Sequence, residues 1–354
     1  MAPTAVLSIR RAIIGEVSDF VVAAGFQHFE VGIVAELVFL LSAYREEEQP
    51  LFPEVFLIEG DTFDQVLATI APATDRLPVG SAPTGNSVAA KVLKDCASLA
   101  TGGWSIYMKC HRNEVSYGLF RSFESPISIS AREFLGDLAS PLSGVILIGN
   151  CASNCVHLHS GNGHQIELSL TSAIPSAVPA SEQVSRIVSS AVSGLDRSSI
   201  ELMTPYLMRV FSGILRQSHG ALIAVVSSET QELGELFKDG VVLESPLDLH
   251  LPMAQFSANG DAASLSKVQA TESLLKGMVC SDGITILGSD ATVRAFRVFV
   301  KPSHEETDSL ANLNVRGGAR ARAFALLKCR IGQHLLSAFF RSQDGQSECA
   351  VTND

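Results

Sequence analysis

Apolar residues in the last third of the chain gather into short runs: His219-Gly220-Ala-Leu-Ile-Ala-Val-Val226, Ile284-Thr-Ile-Leu287, Thr292 to Val300 and Leu336-Ser-Ala-Phe-Phe340. Runs of this length, rich in β-branched and aromatic residues and bounded by Gly, Ser and Asp, predict buried strands. Between them Leu265 to Val279 has the spacing of an amphipathic helix, as does Ala323-Phe-Ala-Leu-Leu-Lys-Cys-Arg-Ile331. Upstream, Thr204 is placed to cap a helix with Pro205 at its first position, running to Arg216 with Leu207, Val210, Phe211 and Ile214 on one stripe. Helices interleaved with strands predict a mixed α/β domain.

The first half is patterned in the same mixed way. Val55 to Ile58 predicts a strand, Ser87 to Leu99 a helix, and Trp104 to Met108 with Val115 to Phe120 a strand pair. Ala131 to Ala139 reads as helix; Gly144 to Ile148, Cys155 to His159 and Gln165 to Leu170 read as further strands. Phe20 to Tyr44 is strongly apolar, but Gln27, His28, Glu30 and Glu36 interrupt it, so it predicts one or two packed helices rather than a membrane span. Two prolines and small polar residues in Ala173-Ile-Pro175-Ser-Ala-Val-Pro179-Ala-Ser-Glu-Gln183 mark a boundary. The expected organisation is an N-terminal α/β region over 1–174, a linker over 175–184 and a second α/β domain over 185–354.

Charge and cysteine content narrow the class. With 26 basic and 37 acidic residues in 354, the net charge of −11 argues against a general binder of nucleic acid or anionic membrane. Seven widely spread cysteines, an odd number, predict reduced thiols and a cytoplasmic location. Arg10 and Arg11 follow the first apolar residues instead of preceding them, the wrong order for a secretory signal.

Against that acidic background Arg316-Gly317-Gly318-Ala319-Arg320-Ala321-Arg322 stands out, together with Asp282-Gly283 at the head of an apolar strand. Gly317 and Gly318 permit close backbone approach, and guanidiniums offer forked donors to phosphate oxygens. The arginines would lie beside a helix N-terminus, where anions are favoured. A solvated basic turn accounts for the same spacing equally well.

The order of these segments resembles the diadenylate cyclase (DAC) domain, whose pattern is a G-A-L-I strand, a D-G-A motif, a G-T-R-H-R motif and a final S-E-E-T-G turn; the resemblance covers about the last 150 residues. Asp282 and Gly283 match D-G-A, with Ile284 in place of its alanine and Ser281 before it. Gly318, Arg320 and Arg322 match G-T-R-H-R, with Ala319 and Ala321 replacing threonine and histidine. Arg341-Ser342-Gln343-Asp344-Gly345 replaces the last turn and lacks carboxylates at the glutamate positions, which is closer to the S-Q-D-G turn of divergent DAC-like sensor families. Asp344 reads as half of an ordinary Asp-Gly turn rather than as a substitute glutamate. The N-terminal half resembles, more loosely, the region preceding the DAC-like part in those families, through Arg45-Glu46-Glu47-Glu48-Gln49-Pro50 and the aromatic strand pair.

The resemblance implies a twisted mixed sheet flanked by helices and a site at which Arg320 and Arg322 hold phosphate, Gly317 and Gly318 allow close approach, Gly283 supports the turn, and Asp282 contacts a ribose hydroxyl or a metal. Binding groups are kept and catalytic ones thinned, which favours a sensor of a nucleotide or nucleotide-derived messenger needing no cofactor. The rivals are a working cyclase that joins two ATP with Mg²⁺ or Mn²⁺ between facing subunits, and an assembly scaffold. Expected partners are the nucleotide and a second copy or an effector protein.

Three other constellations carry weaker signals. Gly80-Ser-Ala-Pro-Thr-Gly85-Asn86-Ser87 has P-loop glycine spacing, but Asn86 stands where lysine is needed and no convincing strand precedes it, so it reads as a loop capping the next helix. Cys155, His157 and His159 alternate along a strand, with Cys151, Cys110 and His111 as additional zinc donors; the plainer reading is an ordinary polar face. Nine histidines and many serines come without a nucleophile elbow, so hydrolase chemistry is unsupported.

Overall fold

The structure is a computed structural model that describes residues 3–26, 31–60, 62–70, 76–85, 87–101, 103–111, 113–121, 143–152, 154–170, 180–218, 220–230, 233, 237–302, 318–342 and 347–352. It divides into two units, Met1–Pro175 and Ser176–Asp354. Each is a mixed α/β layer structure with its own sheet.

In the first unit α1 (Pro3–Ala23) and α2 (Val31–Leu41) precede a small ribbon, β1 (Arg45–Glu46) and β2 (Gln49–Pro50). Then come β3 (Glu54–Glu59), α3 (Phe63–Ile70), β4 (Arg76–Pro83), α4 (Val88–Cys96) and strands β5 (Trp104–His111), β6 (Glu114–Arg121), β7 (Val145–Ala152), β8 (Cys155–Ser160) and β9 (Gln165–Ser169). The sheet order is β4-β6-β5-β3-β7-β8-β9, with β3 and β5 parallel and the remaining neighbours antiparallel. Central β3 is apolar on both sides because both sides are covered. Val55 and Leu57 join a core with Leu37 and Val38 of α2 and Val92 of α4, while Phe56 and Ile58 pack with Phe63, Val66 and Leu67 of α3.

Two polar details hold the helical layer and the ribbon. Buried Asn150 donates from Nδ2 to the Leu41 and Ser42 carbonyls at 3.2 and 3.0 Å, satisfying acceptors at the end of α2. Glu47 and Glu48 have φ of 44° and 66°, the backbone of a tight primed hairpin turn, and Arg45 donates twice to the Glu48 carbonyl. The charge run at Arg45 to Pro50 is thus a hairpin. Among the described residues no helix is long and apolar enough to cross a membrane, and burial raises the Glu36 carboxyl above its ordinary pKa within α2.

The second unit begins with α5 (Ala180–Val192) and α6 (Arg197–Gln217), followed by β10 (Ala221–Val226), β11 (Phe237–Lys238), β12 (Val241–Asp248), α7 (His250–Asn259), α8 (Ala262–Val279), β13 (Ile284–Gly288), β14 (Thr292–Val300), α9 (Ala319–Cys329), β15 (Ser337–Arg341) and β16 (Ser347–Val351). The sheet runs β11-β14-β13-β10-β15-β16, with β12 also on β14; β10 and β13 are parallel. Every residue of β10 is buried. Ile223 and Val225 face a core built with α5 to α8, and Leu222, Ala224 and Val226 face a second core with Phe324 and Leu327 of α9. Helices therefore cover both faces of a mixed sheet, as the hydrophobic runs predict.

Three local expectations need correction. Thr204 does not start a helix: α6 begins at Arg197 and carries Pro205 inside it. Asp196 wins as cap because its carboxylate accepts the Ser198 and Ser199 amides at 3.0 and 3.1 Å, and the helix continues through a proline that forfeits one internal bond. Residues 180–184, placed in the linker, form the first turn of α5. The final helix starts at Ala319 rather than Ala323, since Gly318 takes the extended cap conformation and Ala319 and Ala321 are strong helix formers. The expected helix at Ala131 to Ala139 lies outside the described residues.

Candidate functional site

Asp282 and Gly283 form the turn between α8 and β13, and Arg320 is in the first turn of α9. The Arg320 Nη2 atom donates to Asp282 Oδ1 at 3.3 Å, joining positions 38 apart in sequence. The Asp282 side chain is 82% exposed and that of Arg320 36%, so the pair is open to a ligand. A pair this exposed contributes about 0–1 kcal/mol to stability. Its placement is consequently a better guide to binding than to folding.

Gly220 completes the corner. It leads into β10 with φ +127°, and a Cβ there would lie 3.0 Å from Arg320 Nη1 and 3.0 Å from the Arg341 carbonyl oxygen. Only glycine suits that backbone and leaves room for the guanidinium. Arg341, on β15 opposite Ala221, is buried at the same edge. Neither residue was among the expected site residues. The glycine of the G-A-L-I run was the available signal for Gly220, whereas nothing in the pattern around Arg341 distinguishes it from a turn residue.

The other expected residues behave differently from one another. Gly283 has φ +102°, and a Cβ there would come within 2.8 Å of the Arg297 Cα, so its requirement for glycine comes from β14 packing. Gly318 caps α9 in an extended conformation, and among the described residues a Cβ there would meet no atom within 4 Å. Arg322 is exposed two positions beyond Arg320, roughly 200° around the helix, so the two guanidiniums do not form one fork. Gly317, Arg316, Gln343, Asp344 and Gly345 lie outside the described residues. The first turn of α9 carries no acidic residue, so two cations lie at its positive pole.

As to metal, Asp282 contributes a single carboxylate at this corner, and the one grouping of three His, Cys, Asp or Glu donors found among the described residues is elsewhere. A Mg²⁺ or Mn²⁺ ion here would draw its remaining ligands from phosphate and water. Asp282 suits that shared role or a ribose hydroxyl.

The remaining constellations separate in the sheet of the first unit. Gly80 to Pro83 are part of β4, and Ser87 occupies the cap position of α4 with φ −94° but makes no side-chain cap bond, so the segment is a strand and turn rather than a capping loop. His157 and His159 are buried on β8 with ring centroids 5.2 Å apart. Cys110 faces the opposite side of that sheet, in the core with Ile106 and Met108. The donors that do converge are Cys151, Cys155 and Glu167.

No family model, curated protein or solved structure matches this chain.

Proposed function

We propose that the Ser176–Asp354 unit is a divergent DAC-like domain that binds a nucleotide or nucleotide-derived second messenger as a sensor. The observation that carries this reading is the Arg320–Asp282 pair, which brings together the two motif segments at the N-terminal ends of the parallel strands β10 and β13, beside a glycine that admits the guanidinium. Arg320 would give the phosphate a forked donor, with the positive pole of α9 adding to it. Asp282 would exchange its bond to Arg320 for a ribose hydroxyl or a phosphate-bound Mg²⁺. Arg322 would meet a second phosphate or the far side of a dinucleotide.

Cyclisation of ATP asks for more: alignment of a 3′-hydroxyl on an α-phosphate, activation of that hydroxyl, and charge stabilisation on departing pyrophosphate. Ser281, Ala321 and Gln343 stand where the cyclase pattern has further polar or acidic groups. We therefore favour binding without turnover. Isothermal titration with ATP, AMP and cyclic di-AMP, with and without Mg²⁺, tests the reading; heat of binding lost on replacing Arg320 supports it, and silence across the panel contradicts it.

A further inference from the structure

We propose that the edge of the sheet in the Met1–Pro175 unit carries a Zn²⁺ site formed by Cys151, Cys155 and Glu167. The site is independent of the nucleotide-binding reading above. Cys151 and Cys155 flank the turn joining β7 to β8, a C-x₃-C spacing, and their sulfurs are 3.2 Å apart. Glu167 comes from β9, the next strand, where it stands opposite His157, two residues along β8 from Cys155. One donor atom from each of the three lies within 4.8 Å of the others.

The strand geometry explains the convergence. Successive residues of β8 alternate faces, so Cys155 and His157 share one side, and antiparallel pairing puts Glu167 on it too. On β7, Gly149 stands opposite His157 and Asn150 opposite Val156, so alternation puts Cys151 on the side of His157 and Cys155, next to Cys155 across the ladder. All three side chains are half-buried, reachable by an ion from solvent.

Donor chemistry selects the metal. Two thiolates and a carboxylate suit a borderline-soft ion such as Zn²⁺ and disfavour Mg²⁺ or Ca²⁺, which require all-oxygen shells. With Zn–S bonds near 2.3 Å, two sulfurs of a tetrahedral site are roughly 3.8 Å apart, so small side-chain movements suffice to close the ring of donors. Binding expels the thiol protons to water, and affinity rises with pH. Three protein ligands leave the fourth position to water or an incoming group. The ion would clip β7, β8 and the edge strand β9 together.

Full-length protein, reduced and stripped of metal, should be titrated with Co²⁺ under anaerobic conditions and then with Zn²⁺ against a chromophoric chelator. The expected result is one ion per chain with thiolate-to-cobalt charge-transfer bands, displaced by Zn²⁺, and a melting temperature raised by Zn²⁺. Cys151→Ser and Cys155→Ser should abolish the bands and weaken Zn²⁺ binding by more than about a hundredfold, beyond the loss typical of outer-shell partners. Glu167→Gln should keep the bands and bind roughly tenfold more weakly. The other five cysteines remain in every variant, so bands that persist in both serine variants overturn the site. So do absence of bands in the wild type, unchanged affinity in Glu167→Gln, or an intact mass showing a Cys151–Cys155 disulfide in place of metal. Circular dichroism of each stripped variant, with Cys155→Ala as a second substitution, separates loss of the site from loss of the fold.

Discussion

Gly220 and Arg320 are matched to each other: the Cβ that any other residue would add at position 220 falls 3.0 Å from the Arg320 Nη1 atom. The same guanidinium extends its Nη2 to Asp282. A glycine ahead of a buried strand, an aspartate at a turn and an arginine in a helix's first turn thus depend on one corner of the domain.

Gly220→Ala should disturb both fold and site. The φ of +127° is strained for alanine, and the guanidinium must move. A loss of about 1–3 kcal/mol in stability is expected, accompanied by weaker nucleotide binding. Gly283→Ala should cost stability through the backbone of Arg297 with a smaller effect on binding in the fraction that folds. Denaturant unfolding and titration of both variants check the contrast.

Parts of the fold around this corner were legible in the sequence, and the reasons differ by residue. Thr292 to Val300 was delimited correctly because a long run of β-branched and aromatic residues ends at Lys301-Pro302. Edge strands β12 and β16 were not: Val241-Val-Leu-Glu-Ser-Pro-Leu-Asp248 and Ser347-Glu-Cys-Ala-Val351 mix polar and apolar residues as half-exposed edges do, and Pro246 argues against a strand unless the strand is at an edge. The Asp282 and Arg320 positions could be named from their motifs, but the pairing could not, since 38 residues separate them. Pro205 misled because proline at a helix start is commoner than proline within one, and the stronger signal was Asp196 followed by two serines. In the first unit, alternation of Cys155, His157 and His159 showed a shared face but could not reveal that Glu167 arrives from the next strand or that Cys151 meets Cys155 across the β7–β8 ladder.

Acid should weaken the second unit through its helix caps. Hydrogen bonds from the Ser198 and Ser199 hydroxyls and amides hold the Asp196 carboxyl below its usual range, and the Ser264 amide and hydroxyl do the same for Asp261. A folded pKa below the unfolded value means the stabilisation is fully present above the unfolded pKa, about 3.9, and is lost as pH falls through the folded values. Melting temperature should therefore hold steady between neutrality and about pH 5, then decline. The decline should be shallower in an Asp196→Ala/Asp261→Ala double variant, whose neutral-pH melting temperature is already lower.

Limited proteolysis should divide the chain near Pro175/Ser176, where the two units separate. Two stable fragments are expected, with cleavage close to that boundary and ahead of α5 (Ala180–Val192). Early cuts within α6 or β10 would show that the Ser176–Asp354 unit does not persist alone.

Purified protein given ATP with Mn²⁺ or Mg²⁺ should form no cyclic di-AMP above a no-enzyme control, because the polar and acidic groups of the cyclase pattern are replaced at Ser281, Ala321 and Gln343. Mass spectrometry of the reaction decides this. Steady protein-dependent accumulation of the cyclic product would transfer the domain to the enzyme reading.

The central claim is that Arg320 holds phosphate, and titration calorimetry of Arg320→Ala against the best ligand among ATP, AMP and cyclic di-AMP tests it most directly. Removing charge-assisted hydrogen bonds worth roughly 1.5–3 kcal/mol should weaken affinity about ten- to a hundredfold. The melting temperature should barely change, since the bond to Asp282 is exposed. Arg320→Lys should recover only part of the loss, because an ammonium cannot reproduce a forked contact. Wild-type affinity in Arg320→Ala, or a steep fall in its melting temperature, would contradict the account.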